Sequence, residues 1–181
     1  MNDHKIVELQ LDRKINNFLE TAKYCPFDFP AVIKVNPFSN NIAAPTIYWL
    51  SCPYLNYEVD RLEAESNLIS ELGERLNMDH DFKKLMKKTH TLYAARRKEL
   101  LTSEQLQKAK NISEDLYKTL IESGVGGIKD KKGIKCLHTH LADYLVDHIN
   151  PVGEIVFTKL DWPEECKICR ERIDQFESSC S

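Results

Sequence analysis

Pro26, Pro30, Pro37, Pro45 and Pro53 fall in one short stretch, and no continuous helix survives that spacing. A proline inside a helix removes a backbone donor and clashes with the preceding turn. Residues 24–53 therefore read as a proline-rich β segment. Two β-type runs, Ala31–Val35 and Thr46–Leu50, lie between the prolines, with Ser39–Ala44 as a turn or loop. They predict a short hairpin or two edge-like strands.

On either side the periodicity is helical. Residues 5–21 read as a first helix, because Ile6, Leu9, Ile15, Phe18 and Leu19 fall towards one side. Pro53 suits a first helical position, where its missing N–H is no loss. Leu55, Val59 and Leu62 form a stripe that Ile69, Leu72 and Leu76 continue after a break at Ser66-Asn67. Asp79 can cap a further helix. Thr102 and Gln105 have capping-box spacing for another, with Leu106, Ala109, Leu116 and Leu120 inward.

Gly124, Gly126 and Gly127 read as a helix end and turn. They lack the Gly-Lys-Ser/Thr ending of a phosphate loop. Residues 134–149 form the next predicted helix, stopped by Asn150-Pro151 and Gly153. Ile155–Leu160 reads as a strand and Glu164–Phe176 as a charged helix.

The expected fold is α+β and predominantly α-helical, with a small β element near the N-terminus. It is one domain over residues 1–181: an N-terminal helix (1–22), the proline-rich β segment (24–53), a helical core (53–150) and a C-terminal strand and charged helix (151–181).

The formal charge of -3, from 25 basic and 28 acidic residues, gives no electrostatic reason to expect a nucleic acid. Lys83-Lys84, Lys87-Lys88 and Arg96-Arg97-Lys98 read as a solvated helix face rather than a phosphate site. No stretch approaches the ~20 apolar residues of a membrane span, and the N-terminal residues lack a signal-peptide core. These features predict a cytoplasmic protein that does not enter membranes and leave a protein partner open. In a reducing compartment six cysteines point away from a disulfide scaffold.

Several strings occur in a fixed order: YCPFDFPAVI from Tyr24, PTIYWLSCPYL from Pro45, RLEAE from Arg61, GVGGI from Gly124, GIKCLHTHLADYL from Gly133 and NPVGE from Asn150. This ordered set resembles a bacterial family known as domain of unknown function 501, over roughly residues 24–156. The resemblance implies a bacterial intracellular protein and carries no established activity. Some members have a further histidine shortly after the Cys-Leu-His string, where this chain reads Ala142-Asp143.

The residues best suited to chemistry are cysteines and histidines. Cys25 precedes Pro26, and Cys52 precedes Pro53 at a predicted helix start, where the dipole favours a thiolate. In the helix over 134–149, Leu137, Leu141, Tyr144, Leu145 and His148 share the core arc. Cys136, His140, Asp143 and Asp147 share a second, polar arc. Cys136 and His140 stand at i and i+4 and reach one ion if the helix includes Cys136. If it starts later, His138 takes that place. Cys166 and Cys169 form half of a zinc-type pair, and Cys180 follows. Glu63 and Glu65 lie on different sides of their helix and make no acid/base pair. Tyr48, Trp49, Tyr54 and Tyr57 around Cys52 read as packing.

Three functions compete. The first is metal binding, with zinc or an iron–sulfur cluster held by Cys25, Cys52, Cys136, His138, His140, Cys166 and Cys169. That donor set suits soft or borderline ions. The second is a thiol enzyme with Cys52 as nucleophile and His138 or His140 as base. The third is an interaction module in which the cysteines only pack.

Overall fold

A computed structural model describes residues 1–129 and 133–179. Cys180 lies outside the described residues. Helix α1 (Asp3–Leu11) starts at Asn2, whose side chain accepts the Lys5 amide, and stops at Asp12, which turns left-handed at φ 49°. The periodic residues after it do not continue the helix. Phe18 and Leu19 belong to strand β1 (Phe18–Tyr24), which corrects the helix expected over 5–21.

Strands β2 (Pro30–Val35) and β5 (Tyr48–Leu50) pair antiparallel, with Val32 opposite Leu50. Strand β1 pairs on the other side of β2, so β2 is central rather than edge-like. Alternation along β2 then serves two cores. Val32 faces the main cluster, while Ile33 and Val35 pack with Val7 and Ile15 beneath α1. Between β2 and β5 lies a two-stranded hairpin, β3 (Phe38–Ser39) and β4 (Ile42–Ala43). Its turn places Asn40 and Asn41 at φ 54° and 65°, as a tight hairpin with matching twist requires.

Helix α2 (Pro53–Glu65) begins at Pro53 and α3 (Leu68–Met78) follows the break at Ser66-Asn67. Helix α4 (His80–Glu99) is capped by Asp79 through the Phe82 amide. Its last turns are not a solvated basic face throughout. Lys83, Lys84, Lys87 and Lys88 are exposed, but Arg97 is fully buried. Its guanidinium donates to the carbonyls of Leu120 (2.6 Å), Pro45 (2.8 Å) and Ser123. Tyr93, one turn earlier, accepts the Ile47 amide at 2.8 Å. Together they tie α4 to the approach to β5 and to the end of a later helix.

The capping box at Thr102 and Gln105 starts α5 (Ser103–Ile112). Ser113 is extended, at φ -166°, and starts a separate α6 (Glu114–Glu122) by accepting the Leu116 amide. The single helix expected here is therefore two. Gly126 and Gly127 turn at φ 65° and 74°. At Gly124 a Cβ would come within 2.5 Å of His90 Nδ1, the atom that accepts the Val125 amide at 3.1 Å.

Helix α7 (Leu137–Asp147) starts after Cys136. Asn150-Pro151 then begins an element instead of ending one. Asn150 Oδ1 accepts the amides of Val152 and Gly153, and Pro151 opens α8 (Pro151–Leu160). Ile155–Leu160 is helix, not strand. Its apolar run packs on α7, and Gly153 makes that possible: a Cβ there would lie 2.2 Å from the His140 carbonyl oxygen. The final helix, α9 (Ile168–Ser179), starts later than Glu164 and rests against α1. Arg172 donates to the carbonyls of Leu9 (3.1 Å) and Gln10 (2.5 Å). The fold is α+β and mostly helical, with its small antiparallel β element near the N-terminus. No helix among the described residues is long and apolar enough to cross a membrane.

Candidate metal centre

Helix α7 opens without a side-chain cap of its own, because Cys136 is extended and makes none. A helix start exposes unsatisfied N–H groups and the positive end of the dipole. The deficit is met from α2: Glu63 Oε1 accepts the Leu137 amide at 2.7 Å. That bond brings Glu63 to Cys136 and to His138, one residue further along α7.

His138 Nδ1 lies 3.5 Å from Cys136 Sγ and 3.6 Å from Glu63 Oε1. One donor atom from each of Glu63, Cys136 and His138 lies within 4.8 Å of the other two. All three side chains are half-buried. The other ring nitrogen, Nε2, faces Asp60 Oδ1 at 3.3 Å. Tetrahedral bonds of ~2.0–2.3 Å place neighbouring ligand atoms roughly 3.3–3.8 Å apart, and the two contacts at Nδ1 fall in that interval. An imidazole that ligates through one nitrogen is commonly oriented by a carboxylate on the other, which is the place Asp60 occupies.

The electrostatics are mutual. Burial alone would raise the Cys136 thiol. The hydrogen bond with His138, the Thr139 amide and the His138 charge outweigh it and hold the thiol below its ordinary value. Burial likewise pulls His138 down. Its bond to Cys136, with the charges of Cys136, Glu63 and Asp60, outweighs that and leaves it raised. His138 and Thr139 also line an open pocket of about 260 Å³, together with Arg13, Thr46, Tyr48, Trp49 and Leu50.

The expected ligands divide into three places. Cys136 and His138 meet at this centre. His140 does not join them, since α7 starts after Cys136 and the i, i+4 pairing is lost. It is buried on the supposed polar arc, against Asn150 (3.1 Å) and with its ring 6.2 Å from that of His90. Asp143 on the same arc is also buried. It accepts from Asn150 Nδ2 at 2.9 Å and lies 3.3 Å from Arg96. Arg96 also pairs with Asp147. Burial takes His140 down to about 3 and pushes Asp143 up to about 7.

Cys25, Cys52 and Cys169 are buried and Cys166 is half-buried, and none of them joins the group at Glu63. Burial pushes Cys52 up to about 12, against the pull of the Leu55 and Tyr54 amides. The helix start therefore does not make it a thiolate, as its position before Pro53 suggests. Asp60 and His90 carry no expectation from the sequence, and Glu63, Arg96 and Asn150 are read there in other roles: a carboxylate without an acid/base partner, a solvated face and a helix stop. The RLEAE string from Arg61 was the one signal for Glu63.

The family profile described as "Protein of unknown function (DUF501)" matches residues 21–158. The chain belongs to this family. No curated protein and no solved structure matches it. The DUF501 region takes in Glu63, Cys136 and His138, the His140–Asn150–Asp143 group, Cys25 and Cys52. It stops short of Cys166 and Cys169.

Proposed function

We propose that this DUF501 protein binds one zinc ion through Glu63, Cys136 and His138, in the bacterial cytoplasm, with the fourth coordination position open. The single observation that carries the reading is the meeting of three different donor side chains within 4.8 Å at the start of α7. Carboxylate, thiolate and imidazole together suit zinc better than magnesium or calcium. Three protein ligands with the fourth position open, one of them lining a pocket, are the pattern of a site that activates water, so the reaction class is metal-assisted hydrolysis. Asp60 would fix the imidazole, and Arg13 in the pocket lining would favour an anionic substrate. Zinc here displaces the proton that Cys136 and His138 share, so binding releases protons and weakens in acid.

The test is metal analysis of protein purified anaerobically, beside His138→Gln and Glu63→Gln. One equivalent of zinc lost in both variants, with folded circular dichroism spectra, is the expected result. Zinc content unchanged by either substitution overturns the reading.

One observation favours a second reading. Cys136 Sγ and His138 Nδ1 are 3.5 Å apart and His138 lines the pocket. That is a nucleophile–base geometry, with Cys136 in the role expected of Cys52. Inactivation by iodoacetamide in metal-free protein that is active without zinc would select it.

A further inference from the structure

The other cysteines converge on the first residues of β2. Cys25 sits just beyond the Tyr24–Pro30 pair that closes β1 on β2, and its amide donates to Phe29 O at 2.8 Å. On the opposite side of β2, the amides of Ser51 and Cys52 both donate to Ala31 O, at 2.9 and 3.3 Å. Gln10 Nε2 then joins the third segment. It donates to Pro30 O at 2.8 Å and to Cys169 Sγ at 3.2 Å. Pro30 and Ala31 are thus flanked by Cys25, Cys52 and Cys169, at 8%, 5% and 6% exposure.

Cys166 completes the set. It stands three residues before Cys169, in the Cys-x-x-Cys spacing that lets two thiols of one segment reach a shared ion, and it is half-buried. Buried free thiols are ordinarily small apolar filling. Two observations set this group apart. Gln10, only 4% exposed, is held against the thiols with its Oε1 lacking a hydrogen-bond partner among the described residues. A purely apolar pocket would not recruit a buried amide. In addition, α2 and α9 both begin here, Cys52 preceding the first residue of one and Cys169 being the second residue of the other. Two helix starts favour thiolates here once an ion has displaced the protons that burial otherwise keeps on these sulfurs.

We propose that Cys25, Cys52, Cys166 and Cys169 close around a second zinc ion, a four-thiolate site that staples α9 to the end of the sheet and to the start of α2. It is separate from the centre at Glu63 and does not rest on it. Zn–S bonds of ~2.3 Å require sulfurs roughly 3.8 Å apart. Among the described residues no three of these sulfurs lie mutually within 4.8 Å, so closure on the ion takes side-chain rotation. Four ligands leave no open position, which makes the site structural. Arg172, whose charge acts on Cys169, offsets part of the negative charge of four thiolates.

The experiment uses the full chain, purified anaerobically with a phosphine reductant, and counts zinc by mass spectrometry. Cys166→Ser is the main variant, because Cys166 is only half-buried and its loss leaves the core filled. Cys169→Ser is the second. Each is expected to lower zinc by one equivalent per chain, and His138→Gln to leave that equivalent in place. Cobalt loaded into His138→Gln should give the intense sulfur-to-cobalt bands and visible bands of a tetrahedral four-thiolate ion. Zinc content equal to wild type in folded Cys166→Ser and Cys169→Ser overturns the proposal. So does a disulfide among these cysteines in the anaerobic protein, or a His138→Gln variant that retains no metal. If His138→Gln keeps all its zinc while Cys166→Ser loses one equivalent, the Glu63 centre fails and this site stands.

Discussion

Glu63 caps a helix to which it does not belong, accepting the Leu137 amide at the start of α7 from its place on α2. The same oxygen lies 3.6 Å from His138 Nδ1. One carboxylate therefore serves the backbone and the candidate ion together, and substitution can separate the two roles. Glu63→Gln keeps an oxygen that can accept the Leu137 amide. Glu63→Ala removes it, at a cost of about 1 kcal/mol, or roughly 2–4 °C in Tm for a chain of this size. Thermal melts of the metal-free proteins should put Glu63→Gln near wild type and Glu63→Ala below it, while both lose zinc. Equal melting of the two variants would remove the capping role.

Thiol reactivity should follow burial and partner rather than position before a helix. Cys136 is half-buried and held low by His138, whereas burial takes Cys52 to about 12. The thiolate is the reacting form. Mass-spectrometric mapping of iodoacetamide labelling at pH 7 in metal-free protein should find Cys136 modified well before Cys52. Adding zinc should protect Cys136, and His138→Gln should slow it. Cys52 reacting first would reverse the assignment.

Asp143 predicts a pH dependence of stability with a definite sign. Its carboxyl is raised from 3.8 to about 7, by burial first and by Asp147, with Asn150 and Arg96 opposing. The folded state holds this proton more tightly than the unfolded chain does. Its contribution is therefore full below about pH 4 and is lost as pH rises through 7. His140, lowered to about 3 from 6.5, has the opposite sign: its contribution is full above pH 6.5 and lost as pH falls through 3. The difference in Tm between wild type and Asp143→Asn isolates the first effect. Wild type should lose stability relative to Asp143→Asn between pH 5 and 8. A pH-independent difference would show that Arg96 keeps the carboxylate ionised throughout.

The parts of the fold legible in the sequence are those set by local chemistry. Pro53, Asp79 and the Thr102–Gln105 box each start a helix as expected, because capping involves residues within one turn. The failures occur where distant contacts decide. Ile15, Phe18 and Leu19 keep helical spacing, yet Asp12 turns left-handed and β2 captures the residues that follow. Ile155, Val156 and Phe157 favour a strand intrinsically, but Gly153 lets α8 press onto α7. The candidate site was half visible. Cys136 and His138 are neighbours in sequence, whereas Asp60 and Glu63 arrive from a helix that precedes them by more than 70 residues. Where α7 begins, rather than its periodicity, decides between His138 and His140.

Asn150 fixes more than the start of α8. Its Oδ1 accepts two backbone amides, and its Nδ2 donates to Asp143 at 2.9 Å. His140 Nδ1 lies against this same amide, 3.1 Å from Nδ2 and 3.2 Å from Oδ1. The seam between α7 and α8 is thereby locked by one amide side chain as well as by Gly153. The first turn of α7 consequently extends from a braced two-helix unit. Cys136 and His138 are offered to a ligand from a stiff mount, and their spacing is inherited from the scaffold beneath them instead of being assembled when something binds.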